Sequence, residues 1–273
     1  MSVMLGRIYY LLRRIKFILK RLLPIKEHNL IGRVHPCDMM MKKFNESEIL
    51  HYAKVGNEAL EIIVNALLMA GKDLCKVSIL DFGCGYGRVT RALVRSFTPL
   101  QIDVFDVDNY ASRFCAAEFG VNCIQFTGKW DASCFRSYDL IWVGSVFTHL
   151  SLHYTEKILL LLINILKPDG LLIFTTHGDE AILRLTKGFY RSDLSLYVDQ
   201  IVREYREDGF SFRPYIYDLQ KNTGTTWMSR EFVERLMFRV GGEALTLLSF
   251  KPFGWDAHQD IYIFIKNLAR NAR

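Results

Sequence analysis

From Val77 to His177 the sequence alternates short apolar runs with amphipathic ones, and this rhythm constrains the fold more than any other feature. "VSILDFG", "QIDVFDVD", "NCIQFT", "YDLIWVGS" and "GLLIFTTHG" read as strands. "RVTRALVRSF", "YASRFCAAEFG" and "TEKILLLLINIL" read as helices, the second closed by Gly120 and the third stopped at Lys167 and Pro168. Strand and helix in such succession build right-handed βαβ units on a mainly parallel sheet. Half of the 273 residues are hydrophobic, enough for one sizeable core.

On either side the rhythm loosens. Residues 27–56 read as an irregular or weakly helical lead-in, and Glu58 to Gly71 as a helix. Residues 179–225, rich in aromatics such as Phe189, Tyr190, Tyr197, Tyr205 and Tyr215, read as a helical insertion. A helix capped by Ser229 follows, then "ALTLLSF" and "DIYIFIKN", too close for a helix between them and so expected to pair antiparallel. Without an internal repeat or a convincing linker, residues 27–273 are expected to form one domain.

The net charge of +6 is unevenly placed. Residues 1–26 hold Arg7, Arg13, Arg14, Lys16, Lys20, Arg21 and Lys26 and no acid, so the remainder is close to neutral and a generic nucleic-acid footprint is not expected. Wound as a helix, this head sets Ile8, Leu11, Leu12, Ile15, Ile18, Leu19, Leu22 and Leu23 against a cationic face, and Pro24 ends it. Its apolar runs are too short to span a bilayer or to serve as a secretory signal. Two uses stay open: the surface of an anionic membrane, or packing on its own domain or on a second copy in a homo-oligomer. Six cysteines without a C-x-x-C pair point to reduced thiols and a cytoplasmic setting, at the inner membrane face if the head attaches there, and no spacing specifies a metal site.

The first strand ends in "ILDFGCGYGR", with Gly83, Gly85 and Gly87 at alternate positions before a helix. Ordering glycine is costly, so the cluster implies positive φ or close approach to the backbone, most simply by a ligand. The dinucleotide fingerprint needs glycine where Arg88 stands, and there is no Walker loop.

Taken with the acid-tipped "DVFDVD", this stretch resembles the class I S-adenosylmethionine-dependent methyltransferases over about residues 57–266. The resemblance implies a Rossmann-like α/β fold with a seven-stranded, mostly parallel sheet whose last strand is antiparallel. It also implies S-adenosylmethionine as methyl donor. Asp81 would take the amino-acid end, directly or through water. Gly83, Cys84, Gly85, Tyr86 and Gly87 would form the loop beneath the donor. Asp106, with Val107 beside it, would take the ribose hydroxyls, with Asp108 as rival or as a helix cap. Gly144 and Ser145, after the fourth strand, would approach the donor, and Trp130 or Asp131 would touch adenine.

Methyl transfer from a sulfonium needs alignment above all, and a hydroxyl acceptor also gains from a base. His149 and His177 follow strands at their carboxyl ends and are the candidate catalytic residues, with His258 behind them. "GSVFTHL", "LKPDGLLIFTTHG" and "HQD" resemble bacterial methyltransferases found with glycan-assembly enzymes, which implies O-methylation of a sugar hydroxyl on a glycan or lipid-linked saccharide. The aromatic insertion would then stack on sugar faces, close as a lid, or simply pack as an added layer. Other acceptors (nitrogen, carboxylate, lipid, quinone or another small molecule) and a non-catalytic scaffold are the alternatives.

Overall fold

The computed structural model describes residues 19–20, 23–190, 192–216, 218, 220 and 222–268. Most of the basic head therefore lies outside the described residues. Two compact units make up the chain: Met1–Lys129 with Ile216–Leu219, and Trp130–Tyr215 with Gln220–Arg273.

In the first unit a short hairpin, β1 (Lys26–His28) and β2 (Gly32–Val34), precedes α1 (Glu46–Met69). This helix begins twelve residues before the expected Glu58 and absorbs part of the expected lead-in. The cause is local: Asn45 caps it by accepting from the Glu48 N–H, and Glu46 and Glu48 stabilise its first turn. Then come β3 (Ile79–Phe82), the single turn α2 (Thr90–Leu93), β4 (Ile102–Asp106), α3 (Asn109–Phe119) and β5 (Asn122–Gln125). Strand β4 pairs in parallel with both β3 and β5. All four residues of β3 are buried, as suits a parallel strand covered on both faces.

In the second unit β6 (Tyr138–Val143) pairs in parallel with β7 (Leu166–His177) across α4 (Leu152–Ile165). Pro168 therefore lies inside β7, near a register shift, and the strand starts as soon as the helix ends. The segment after His177 is not wholly helical. Helices α5 (Asp179–Thr186) and α6 (Val198–Asp208) are followed by β8 (Phe210–Pro214) and β9 (Gly224–Met228), a separate two-stranded antiparallel ribbon. Ala181, Leu185, Leu194, Ile201, Tyr205 and Trp227 form a core cluster of this layer. Helix α7 (Arg230–Gly241) is capped by Ser229, as expected. The closing strands β10 (Leu245–Trp255) and β11 (Gln259–Lys266) pair antiparallel, and β11 also runs antiparallel to β7.

The main sheet has the order β10-β11-β7-β6-β3-β4-β5. It is the Rossmann-like, mostly parallel seven-stranded arrangement with a reversed last strand that the sequence led us to expect. Among the described residues no helix is long and apolar enough to cross a membrane.

Candidate functional site

The first unit carries the glycine loop. Gly83, Gly85 and Gly87 all have positive φ, 79°, 51° and 86°, so the backbone path itself demands the three glycines. The Gly83 and Cys84 N–H groups donate to the Phe105 carbonyl at 2.8 and 3.1 Å and fasten the loop to the end of β4. Beyond φ, the individual glycines serve different ends. A Cβ on Gly87 would stand 2.5 Å from Phe119 Cε2 and 3.1 Å from Cys115 Sγ, so that glycine admits helix α3. A Cβ on Gly85 would meet nothing within 4 Å: open space lies in front of it. Attributing the whole cluster to a ligand is therefore too simple, since Gly87 answers to packing.

Asp106 closes the loop from the tip of β4. Its Oδ2 accepts from the Gly85 N–H at 2.9 Å and its Oδ1 from the Asp108 N–H at 2.8 Å. Burial raises its pKa above the usual value, against these two bonds, which favour the charged form. Each carboxylate oxygen keeps a further lone pair for an incoming hydroxyl. Asp108 caps α3 by accepting from the Tyr110 N–H, and its other oxygen accepts from the Tyr86 hydroxyl at 3.2 Å. Val107 between them is 58% exposed.

Asp81 is buried, and the Thr90 hydroxyl donates to its Oδ2 at 2.6 Å. Burial lifts its pKa from 3.8 to about 6, opposed by that bond. Thr90, which the sequence reading did not single out, thus fixes the acid against the first turn of α2. Tyr86 is buried, with its ring stacked on His35 at 4.4 Å between centroids, and Phe114 lies against both. Cys84 is buried as well, its thiol donating to the Gly85 carbonyl, and burial pushes its pKa up. The side chains of both residues are thus committed to packing around the loop.

The second unit brings together the ends of β6 and β7. Gly144 admits two tryptophans, since a Cβ there would stand 2.7 Å from Trp142 Nε1 and 2.9 Å from Trp255 Cη2. Ser145 holds a left-handed φ of 61° without being glycine. A chain of bonds keeps it there. Its N–H donates to Thr175 Oγ1 at 2.8 Å, Thr175 donates to Gln259 Oε1 at 2.6 Å, and Gln259 Nε2 donates to Ser145 Oγ at 2.6 Å.

His149 and His177 lie close, with ring centroids 6.5 Å apart, and His258 stands 5.8 Å from His177. His149 is exposed; its Nδ1 lies 2.6 Å from the Tyr215 hydroxyl and 3.2 Å from the Gly224 carbonyl oxygen. Nδ1 accepts from the Tyr215 hydroxyl in one tautomer and donates to the Gly224 carbonyl in the other. His177 is buried, with Nδ1 3.1 Å from the Thr226 carbonyl oxygen. Burial, and then the neighbouring His149 and His258, hold its pKa well below the ordinary imidazole value. Among the described residues no three His, Cys, Asp or Glu side chains are placed to hold a metal ion.

The β8–β9 ribbon ties the insertion to this edge. The Gly224 and Thr226 N–H groups donate to the carbonyls of His149 and Thr148, and the Thr226 hydroxyl donates to that of Leu150. Tyr190 and Trp227 come against His177, at 5.8 and 6.4 Å. Trp227 was missed in the sequence because "GTTWM" has no tight turn leading into it. Asp131, expected near adenine, caps a short 3-10 turn by accepting from the Ser133 N–H.

A family model described as a methyltransferase domain matches residues 80–172. Among curated proteins, the chain is 26% identical over 159 residues to a malonyl-[acyl-carrier protein] O-methyltransferase of Bacillus cereus, covering 56% of this chain and 58% of that protein. It is 28% identical over 137 residues to a ubiquinone biosynthesis O-methyltransferase of Rickettsia felis, covering 49% and 54%. The chain thus spans about half the length of the curated relatives it matches. Among solved structures, magnesium protoporphyrin IX methyltransferase from Synechocystis PCC 6803 with bound SAH aligns over 82% of this chain and 89% of its own, with a TM-score of 0.54 and 12% identity. A S-adenosylmethionine-dependent methyltransferase from Clostridium acetobutylicum aligns over 77% and 92%, with a TM-score of 0.50 and 14% identity. Residues 80–172 thus match a methyltransferase domain, and the seven-stranded sheet has the Rossmann-like fold seen in class I methyltransferase structures.

Proposed function

We propose that this protein transfers a methyl group from S-adenosylmethionine to an oxygen of its acceptor. The observation that carries the reading is the carboxylate of Asp106, held by two backbone N–H groups beside a glycine with open space before it. The donor has a ribose diol and an ammonium but no phosphate, and the chemistry of this loop fits: acids and bare backbone, without a phosphate-binding lysine. Asp106 would accept from the ribose hydroxyls. The backbone of Gly83 and Gly85 would lie beneath the donor. Asp81, committed to Thr90, would act on the ammonium through its field or through water. When bound, the donor supplies a methyl group on a good leaving group, so the protein's task is alignment.

The relatives named above support oxygen as the receiving atom. They are named for a malonyl carrier protein and for ubiquinone biosynthesis, and neither name supports the glycan acceptor expected from the motifs. A sugar hydroxyl is the second reading, favoured by Phe189 and Tyr197, aromatic side chains the insertion leaves 76% and 45% exposed. His149, exposed and paired with Tyr215, would then be the base. Membrane-surface work through residues 1–26 is a separate proposal, checked by pelleting with anionic vesicles with and without that segment.

Calorimetric titration with S-adenosylmethionine and its demethylated product tests the main reading. Asp106→Asn keeps the shape but surrenders the charge, and binding of both compounds should weaken about tenfold or more, the loss of a charge-assisted bond. Wild-type affinity in that variant, or no binding by the wild-type chain, refutes the reading.

A further inference from the structure

The first unit holds a cavity of about 210 Å³ whose wall carries Arg88, Arg91 and Arg95 and, among the described residues, no acid. None of Asp81, Gly83, Gly85 and Asp106 lines it, so it is separate from the place proposed for the donor. The arginines stand three and four residues apart on a helical path, in which the Arg91 N–H donates to the Gly87 carbonyl at 3.0 Å. That spacing sets them on one face, where like charges repel. Helix α1 forms the facing wall with Gly56 and Asn57. It comes this close because residue 56 is glycine: a Cβ there would stand 2.5 Å from the Arg88 carbonyl oxygen. Leu30 and Ile31, between β1 and β2, and Phe119, at the end of α3, make the remaining wall apolar.

Neutral groups alone hold two of these arginines. The Arg91 Nε donates to the Gly87 carbonyl at 3.1 Å, its Nη atoms donate to the carbonyls of Ile31 and Arg33, and its guanidinium lies 5.3 and 5.2 Å from the ring centres of Tyr52 and Phe119. Arg95 donates to Asn57 Oδ1. Among the described residues neither has a carboxylate partner, whereas Arg33 pairs with Glu118 and Lys54 with Glu58. Both guanidinium groups keep N–H donors beyond these bonds. Their charge is left for an anion to match.

We propose that this cavity binds a phosphate monoester, with the arginines on the phosphate oxygens and Leu30, Ile31 and Phe119 against an apolar body joined to it. Guanidinium groups fit phosphate oxygens in forked pairs. A carboxylate would offset only part of the positive charge gathered here, while a monoester carries close to two negative charges at neutral pH and spreads them over several acceptor oxygens. The same chemistry has two sources, a soluble phosphorylated compound and the headgroup of phosphatidic acid. The site stands whether or not the donor reading does, since it shares no residue with it.

Calorimetric titration of the full chain with phenyl phosphate, inorganic phosphate and phenol tests it. Phenyl phosphate should bind about tenfold more tightly than inorganic phosphate, because its ring buries apolar surface, and phenol should not bind. Arg95→Gln should weaken phenyl phosphate about tenfold, the loss of a charge-assisted bond. Asn57→Asp, which sets an acid among the arginines, should abolish binding. Both substitutions leave Arg91 and its carbonyl partners in place, and unchanged far-UV circular dichroism checks folding. No binding of phenyl phosphate by the wild-type chain, or equal binding by the wild type and both variants, overturns the inference. Pelleting with phosphatidylcholine vesicles that carry phosphatidic acid then separates the sources. Given phenyl phosphate binding, retention lost in both variants supports the lipid headgroup as the occupant, and retention unchanged in both supports the soluble compound.

Discussion

Gly85 and Gly87 occupy the same motif, yet the structure assigns them different duties, and replacing each by alanine should separate folding from binding. At Gly87, alanine has to adopt a φ of 86° and place a methyl 2.5 Å from Phe119 Cε2. The left-handed backbone costs about 1–2 kcal/mol. Overpacking against α3 adds about 1–3 kcal/mol, so Gly87→Ala should destabilise by about 2–5 kcal/mol in all. At Gly85, with a φ of 51° and nothing within 4 Å of the new methyl, only the backbone term of about 1–2 kcal/mol applies. That methyl would instead occupy the space proposed for the donor, and affinity should fall about tenfold or more. All four tryptophans lie from Trp130 onward, in the second unit, so urea unfolding should be followed by far-UV circular dichroism rather than tryptophan fluorescence. Calorimetry with S-adenosylmethionine supplies the second axis. The reasoning fails if Gly87→Ala is no less stable than Gly85→Ala, or if Gly85→Ala binds the donor as tightly as the wild type.

Two more outcomes follow from buried polar groups. Asp81 has its folded-state pKa raised from 3.8 to about 6, so the folded protein binds the proton more tightly than the unfolded chain. The stability it contributes is complete below about pH 4 and is lost as pH rises through about 6, a change on the order of 3 kcal/mol. Denaturation across that window should show Asp81→Asn gaining on the wild type as pH rises; parallel curves would contradict the assignment. Gln259→Leu should destabilise by about 1–3 kcal/mol, because Thr175 loses its acceptor and Ser145 a donor. Amide exchange at Ser145 should quicken with it, and a variant as stable and as protected as the wild type would show that the chain of bonds does not hold the loop.

Several elements were legible in the residues because their cause is local. The Gly83-x-Gly-x-Gly87 spacing announces a backbone with repeated positive φ, and that is what the loop shows. Ser229 before an amphipathic run was enough to place a helix start. Asn45 with Glu48 carried the same kind of signal for α1, and passing over it misplaced that helix by twelve residues. The ribbon β8–β9 had no such mark. Its strands are joined by a long segment, and its alignment is set by carbonyls of His149, Thr148 and Leu150, far away in sequence.

What the sequence determined by itself was the fold class and the loop, since hydrophobic period and glycine spacing act through neighbours along the chain. What only the tertiary structure decided was which glycine packs and which faces open space, which acid caps and which is offered, and which rings gather about His177. Those outcomes depend on groups distant in sequence meeting in a close-packed interior, where a single methyl or an unmatched N–H changes the answer.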